Sequence, residues 1–209
     1  MRGPLGKGEG TGRVEAFSDG VFAIAITLLV LNLHVPELPP DARGEDLLAA
    51  LGDDLTNLQA YVVSFLVVGL FWMTHHRVFA QIRRYDAVRV WLNLLTLLFV
   101  SVIPFPTAIL GRYGGPVALR LYDGTLAAAS ILLLVMWVYA SGRCSLTEPG
   151  LSPNMVRYLT LRGVVTVAIF VGSIVLSYFD DDVALLSLLL IPPAMAVLAR
   201  MYGKESAHL

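Results

Sequence analysis

The sequence predicts an all-α integral membrane protein with six transmembrane helices per chain, and three observations carry that prediction. Apolar residues (AVILMFWYC) make up 56% of the 209 positions and charged residues only 15%, against roughly 25% charged in ordinary soluble domains. Six apolar runs are each long enough to cross a bilayer, which takes about 20 residues. Basic residues gather in alternate connections, the asymmetry that orients membrane proteins. Six spans use roughly 120 residues and leave about 89 for loops and tails, so no soluble catalytic domain fits. The organisation is therefore one six-span membrane domain over residues 1–209, with short cytoplasmic tails at 1–13 and 201–209.

The stretch Met1 to Gly12 is Gly-rich and polar and lacks the apolar core of a signal peptide, so the first hydrophobic segment is expected to stay in the mature protein. Span one covers residues 16–35. Along it Phe17, Gly20, Ile24, Thr27, Leu31 and His34 recur at steps of three and four, which places them on one helical face. By pattern alone this is a packing face, and Thr27 can return its hydroxyl to the carbonyl four residues earlier. Glu45 to Leu55 has helical apolar spacing and is expected to extend span two outward. Span two covers 56–74. Span three covers 90–110, with Pro104 and Pro106 bending or ending it.

Span four, 121–140, carries Ala127, Ala128, Ala129 and Ser130; span five, 160–178, carries Gly163, Ala168, Gly172 and Ser173. Small residues of this kind suit close helix packing in lipid. Asp180 to Asp182 read as a helix cap before span six, 183–200, which Pro192 and Pro193 interrupt. None of the runs shows the two-residue alternation of barrel strands. With both termini inside, the cytoplasmic side holds Arg2, Lys7, Arg13, Arg77, Arg83, Arg84, Arg89, Arg143, Arg157, Arg162, Arg200 and Lys204, 12 of the 15 basic residues. Only Arg43, Arg112 and Arg120 fall outside. Trp72, Trp91 and Trp137 fall near inner span ends, as interfacial anchors do. The net charge of -1 gives no nucleic-acid footprint, and the single Cys144 excludes an intrachain disulfide.

Polar groups within spans are functional candidates because lipid offers them no partner. Three clusters share one depth on the cytoplasmic side: Ser18 and Asp19, then Trp72 with His75 and His76, then Asn93. Asp19 reads either as an N-cap or as a member of a buried interhelical network. Adjacent His75 and His76 point about 100° apart, unlike the i, i+4 pair that binds zinc, which argues against a metal site.

The run Arg13-x-x-x-Phe17-Ser18-Asp19-Gly20 resembles the signature of the transmembrane protein 175 family of potassium channels, and Trp72-x-x-His75-x-Arg77 and Asn93 after Trp91 extend the resemblance. The resemblance implies a homotetramer of six-span chains, of the bacterial single-repeat type, with four first helices lining a central pore in the plasma membrane. Counting from Phe17-Ser18-Asp19, it places the hydrophobic constriction on Ile24 and the next pore layers on Thr27 and Leu31. Arg13, Phe17, Ser18 and Asp19 would form a structural network at the base of the pore helix with Trp72, His75 and Asn93. Potassium is the implied permeant ion and no cofactor is implied; the partners are lipid and other copies of the chain.

The chain has no Thr-Val-Gly-Tyr-Gly filter, so selectivity would arise at a ring of apolar side chains that gives no ligands in exchange for hydration. Potassium, less tightly hydrated than sodium, would meet the lower barrier, with a modest preference. The rival readings are a proton-coupled secondary transporter using Asp19 and His75, and a proton-permeable cation leak. No His-Glu-x-x-His, Gly-x-Ser-x-Gly or phosphate loop points to an enzyme.

Overall fold

A computed structural model describes residues 10–41, 43–82, 86–142, 147 and 150–202. Arg2, Lys7, Arg83, Arg84, Arg143, Cys144 and Lys204, which entered the charge and cysteine readings, lie outside the described residues. The chain is almost entirely helical: α1 Gly10–Leu28, a 3-10 turn Leu29–Asn32, α2 Gly44–Asp53, α3 Leu55–Ala80, α4 Ala87–Val102, α5 Pro104–Tyr113, α6 Gly115–Ser141, α7 Pro153–Leu176, α8 Asp181–Ser187, a 3-10 turn Leu188–Leu190 and α9 Ile191–Met201. Six of the resulting segments are long and apolar enough to cross a membrane, spanning 12–32, 55–80, 87–113, 115–141, 153–176 and 181–201. The chain is a multi-pass membrane protein.

Capping chemistry sets most helix starts. Asp86, Ser152 and Asp180 accept hydrogen bonds from the backbone N–H of Arg89, Met155 and Val183 and so open α4, α7 and α8. The cap expected at Asp180 is therefore present. Proline stands in the first turn of α5, α6, α7 and α9, where its missing N–H has no helical partner to lose. Pro104 and Pro192 act as the sequence suggests: span three is interrupted at Ile103, and span six passes through a 3-10 turn before α9. Gly114 and Gly115, at φ +60° and +77°, make the sharp turn between α5 and α6 that a side chain would resist.

Two expectations change. Glu45 to Leu55 does not lengthen span two: α2 is a separate helix, closed by Asp54 at ψ 9° before α3 begins. Trp137 is no interfacial anchor, since it is buried and its indole N–H donates to Thr160 at 3.1 Å.

The core is built around α6, whose Tyr122, Leu126, Met136 and Trp137 are fully buried. α4 and α7 flank it most closely, α5 also packs on it, and α1 packs on α3 and α4. Of the small residues of spans four and five, Gly163 lies where α6 meets α7, since a Cβ on it would stand 2.7 Å from Leu134 Cδ1, whereas Ala168 is exposed and a Cβ on Gly172 would meet nothing within 4 Å. Polar stitches join the helices within this core. Thr107 on α5 donates to Ser64 on α3 at 2.9 Å, and Ser64 donates to the Tyr122 hydroxyl on α6 at 3.1 Å.

Candidate functional site

The structure joins α1, α3 and α4 through one polar chain. Asn93 Nδ2 donates to Ser18 Oγ at 3.0 Å, and its Oδ1 lies 2.9 Å from His75 Nε2. A carboxamide oxygen only accepts, so His75 holds its proton on Nε2. Ser18 passes its own proton to the Val14 carbonyl at 2.8 Å. All three side chains are buried, and the His75 ring lies between Phe22, at 5.3 Å centroid distance, and Phe79, at 3.9 Å. One turn away, on the more open side, Trp72 Nε1 donates to Asp19 Oδ1 at 2.9 Å.

Asp19 is therefore not an N-cap. α1 begins at Gly10, so Asp19 lies well inside the helix and binds across to α3. His75 and His76 do face different ways: His76 is exposed and lies 3.4 Å from Glu15 on α1. The structure does not bring Arg13 or Phe17 into this cluster. Both are exposed, and Arg13 makes no hydrogen bond or ion pair among the described residues.

This anchoring divides α1 into two faces. Ser18, Phe22 (2% exposed), Ala25 and Leu29 turn into the bundle, whereas Phe17, Gly20, Ile24 (61%), Thr27 and Leu31 (71%) form a continuous exposed stripe. Thr27 directs its proton to the Ala23 or Ile24 carbonyl, each at 2.9 Å, which leaves its oxygen lone pairs on the exposed side. The stripe is thus hydrocarbon with one hydroxyl. His34 falls beyond it, because the helix has already passed through the 3-10 turn into extended chain.

Sequence reading missed a second anchor at the other end of α1. Asn57 Nδ2 on α3 donates to the Asn32 carbonyl at 2.8 Å, and Asn32 Nδ2 donates to the Pro104 carbonyl at 3.0 Å. Asn32 thereby ties the end of the first span to the backbone of span three at the start of α5. The signal was the one that marked Asn93, an amide within an apolar run. Asp123 was missed as well. It is fully buried in α6, with Oδ2 2.6 Å from the Ser173 hydroxyl, which is also 2.9 Å from the Ala184 carbonyl.

Bundle and site together define a polytopic helical membrane protein whose first helix is clamped at both ends and presents one free, mainly apolar face. Residues 13–104 match the family described as "Endosomal/lysosomal potassium channel TMEM175". A potassium channel of Streptomyces collinus is 41% identical over 157 residues, 73% of this chain and 75% of that one. A potassium channel of Chamaesiphon minutus is 39% identical over 135 residues, 63% of this chain and 66% of the relative. The crystal structure of a lysosomal potassium-selective channel TMEM175 homolog from Chamaesiphon minutus superposes with a TM-score of 0.76 at 30% identity, covering 90% of this chain and 96% of that one. The chain belongs to the TMEM175 family of channels.

Proposed function

We propose that this chain forms one six-span membrane domain and that four copies assemble around a pore lined by α1, conducting potassium in preference to sodium. The observation that carries this reading is the two-faced first helix: its inner face is fixed to α3 and α4 at both ends, and Ile24, Thr27 and Leu31 project away from the rest of the chain. The relatives named potassium channels and the family's channel character support it. Four Ile24 side chains would close the narrowest ring. An ion passing it sheds or distorts its hydration without replacement ligands, which favours the less tightly hydrated potassium by a modest factor. Thr27 oxygens one turn outward would meet the ion as it regains ligands, and Leu31 would line the wider exit.

In this reading Ser18, Asp19, Trp72, His75 and Asn93 hold the pore helix and do not touch the ion, with Arg13 and Phe17 at its base. The protein sits in the plasma membrane with both termini cytoplasmic, the orientation that puts the arginine-rich connections inside. It works as a passive conduit and not as a catalyst.

Reconstitution of the purified chain in liposomes tests this directly. Wild type is expected to give electrogenic potassium flux exceeding sodium flux, and Ile24→Asn to lower the potassium preference several-fold by adding ligands at the ring. Unchanged selectivity in that variant would remove Ile24 from the constriction. Saturable uptake in fixed stoichiometry with protons would replace the channel with a carrier.

A further inference from the structure

α3 and α7 do not pack closely along their length. Between them, over α6 and α9, runs a crevice walled by Leu70, Leu133, Trp137, Leu159 and Met195. Phe71 and Phe170 stack across it at 6.2 Å. The walls are hydrocarbon apart from a few polar residues, two of which stand out. Arg162 is only 5% exposed and Ser130 only 4%; both line the crevice, and Arg162 Nε and Ser130 Oγ have no hydrogen-bond partner. Arg162 makes one side-chain hydrogen bond, from Nη1 to the Tyr158 hydroxyl at 2.9 Å, one turn nearer the start of α7.

The sequence placed Arg162 among the cytoplasmic-side charges at the edge of span five, but it lies nine residues inside α7, about 14 Å along the axis at 1.5 Å per residue. No carboxylate pairs with it among the described residues. Arg77 follows the crevice residue Thr74 and precedes the crevice residue Val78 on α3, adding a second positive charge near the arginine-rich end, and it too lacks an acidic partner among the described residues. A buried guanidinium without a counter-charge is strongly disfavoured. An anion seated on Arg162 would relieve that penalty, and the planar guanidinium fork suits phosphate in particular.

We propose that the crevice binds an anionic phospholipid from the leaflet at the arginine-rich end of the bundle. The phosphate is received by Arg162 and attracted by Arg77, and one acyl chain runs from there past Leu133 and Met195 toward Phe170. The bend of Arg162 toward Tyr158 carries its charge toward the interface, as arginine side chains near span ends do. The site is independent of ion conduction, and its test uses no transport readout.

Trp137 lines the crevice and is 1% exposed, so its fluorescence reports an acyl chain that enters. The full chain is reconstituted in bilayers containing phospholipids with brominated acyl chains, and the Trp137 contribution is isolated by difference from Trp137→Phe. Brominated phosphatidylglycerol is expected to quench it at about tenfold lower mole fraction than brominated phosphatidylcholine. Arg162→Gln should abolish that preference and Arg162→Lys retain much of it, whereas Arg157→Gln, at an exposed arginine on the same helix, should leave it intact. The proposal is overturned if the two phospholipids quench wild type alike, or if only a brominated free fatty acid quenches. Absence of quenching, as when a second copy fills the crevice, overturns it equally. So does a phosphatidylglycerol preference that survives Arg162→Gln. The comparison of the two phospholipids requires only wild type and Trp137→Phe to fold.

Discussion

Asn93 uses both ends of one amide, giving a hydrogen to Ser18 on α1 and taking one from His75 on α3. Interhelical hydrogen bonds in membranes average about 0.6 kcal/mol and reach about 1.7, and an orphaned buried partner costs about 1–3 kcal/mol more. Asn93→Leu removes both bonds and strands His75, so it is expected to destabilise the protein by about 2–4 kcal/mol. Trp72→Phe loses a single bond to the half-exposed Asp19 and should cost about 0.5–1.5 kcal/mol. Thermal unfolding of the purified variants measures the order; equal losses would mean that the buried amide is no keystone. The members of this network were legible because a polar side chain in an apolar run must find a partner. What they bond to was not legible. Asp19 has the chemistry of a cap, and only the start of α1 at Gly10 removes that option.

Among the elements, α1 is held by two clamps of different construction. The one at Ser18 joins side chains to side chains; the one at Asn32 joins side chains to carbonyls, through Asn57, Asn32 and Pro104. The Asn32 clamp needs α5 to come close to α3, and Gly111 permits it: a Cβ there would overlap Asn57 Oδ1 and approach the Asn57 Cα to 3.1 Å. Gly111→Ala should therefore destabilise by about 1–3 kcal/mol, the usual range for overpacking. Asn57→Ala in the same chain should make the combined loss smaller than the sum of the two, since the clash and the bond share one residue. Strict additivity in denaturation would place the strain elsewhere. The helix boundaries at Pro104, Asp180 and Pro192 were legible because prolines and caps act locally. The separation of α2 from α3 was not, since apolar spacing continues through Asp54 and only its backbone angles break the helix.

At the scale of the whole molecule, the proposed tetramer makes the exposed stripe of α1 a surface shared between copies. In a Cys144→Ser background, Ile24→Cys is expected to form oxidative cross-links between chains, while Ala25→Cys, turned into the bundle, should remain monomeric on denaturing gels. Cross-linking of both or of neither would contradict a pore lined by this face.

The sequence by itself determined the membrane class, the six spans and the polar residues that need partners. These follow from composition, run length and the poverty of lipid in hydrogen-bonding groups, all of which are read along the chain. It also placed Phe17, Gly20, Ile24 and Thr27 on one side of a helix, because helical periodicity is local. Whether that side faced the bundle or left it depended on which neighbours claimed the opposite face. Only the tertiary structure decided this, by fixing Ser18 to Asn93 and Asn32 to Pro104. The tertiary structure likewise turned Arg162 from a charge at the edge of a span into a buried cation: burial is set by the helices around a residue, and those come from distant parts of the chain.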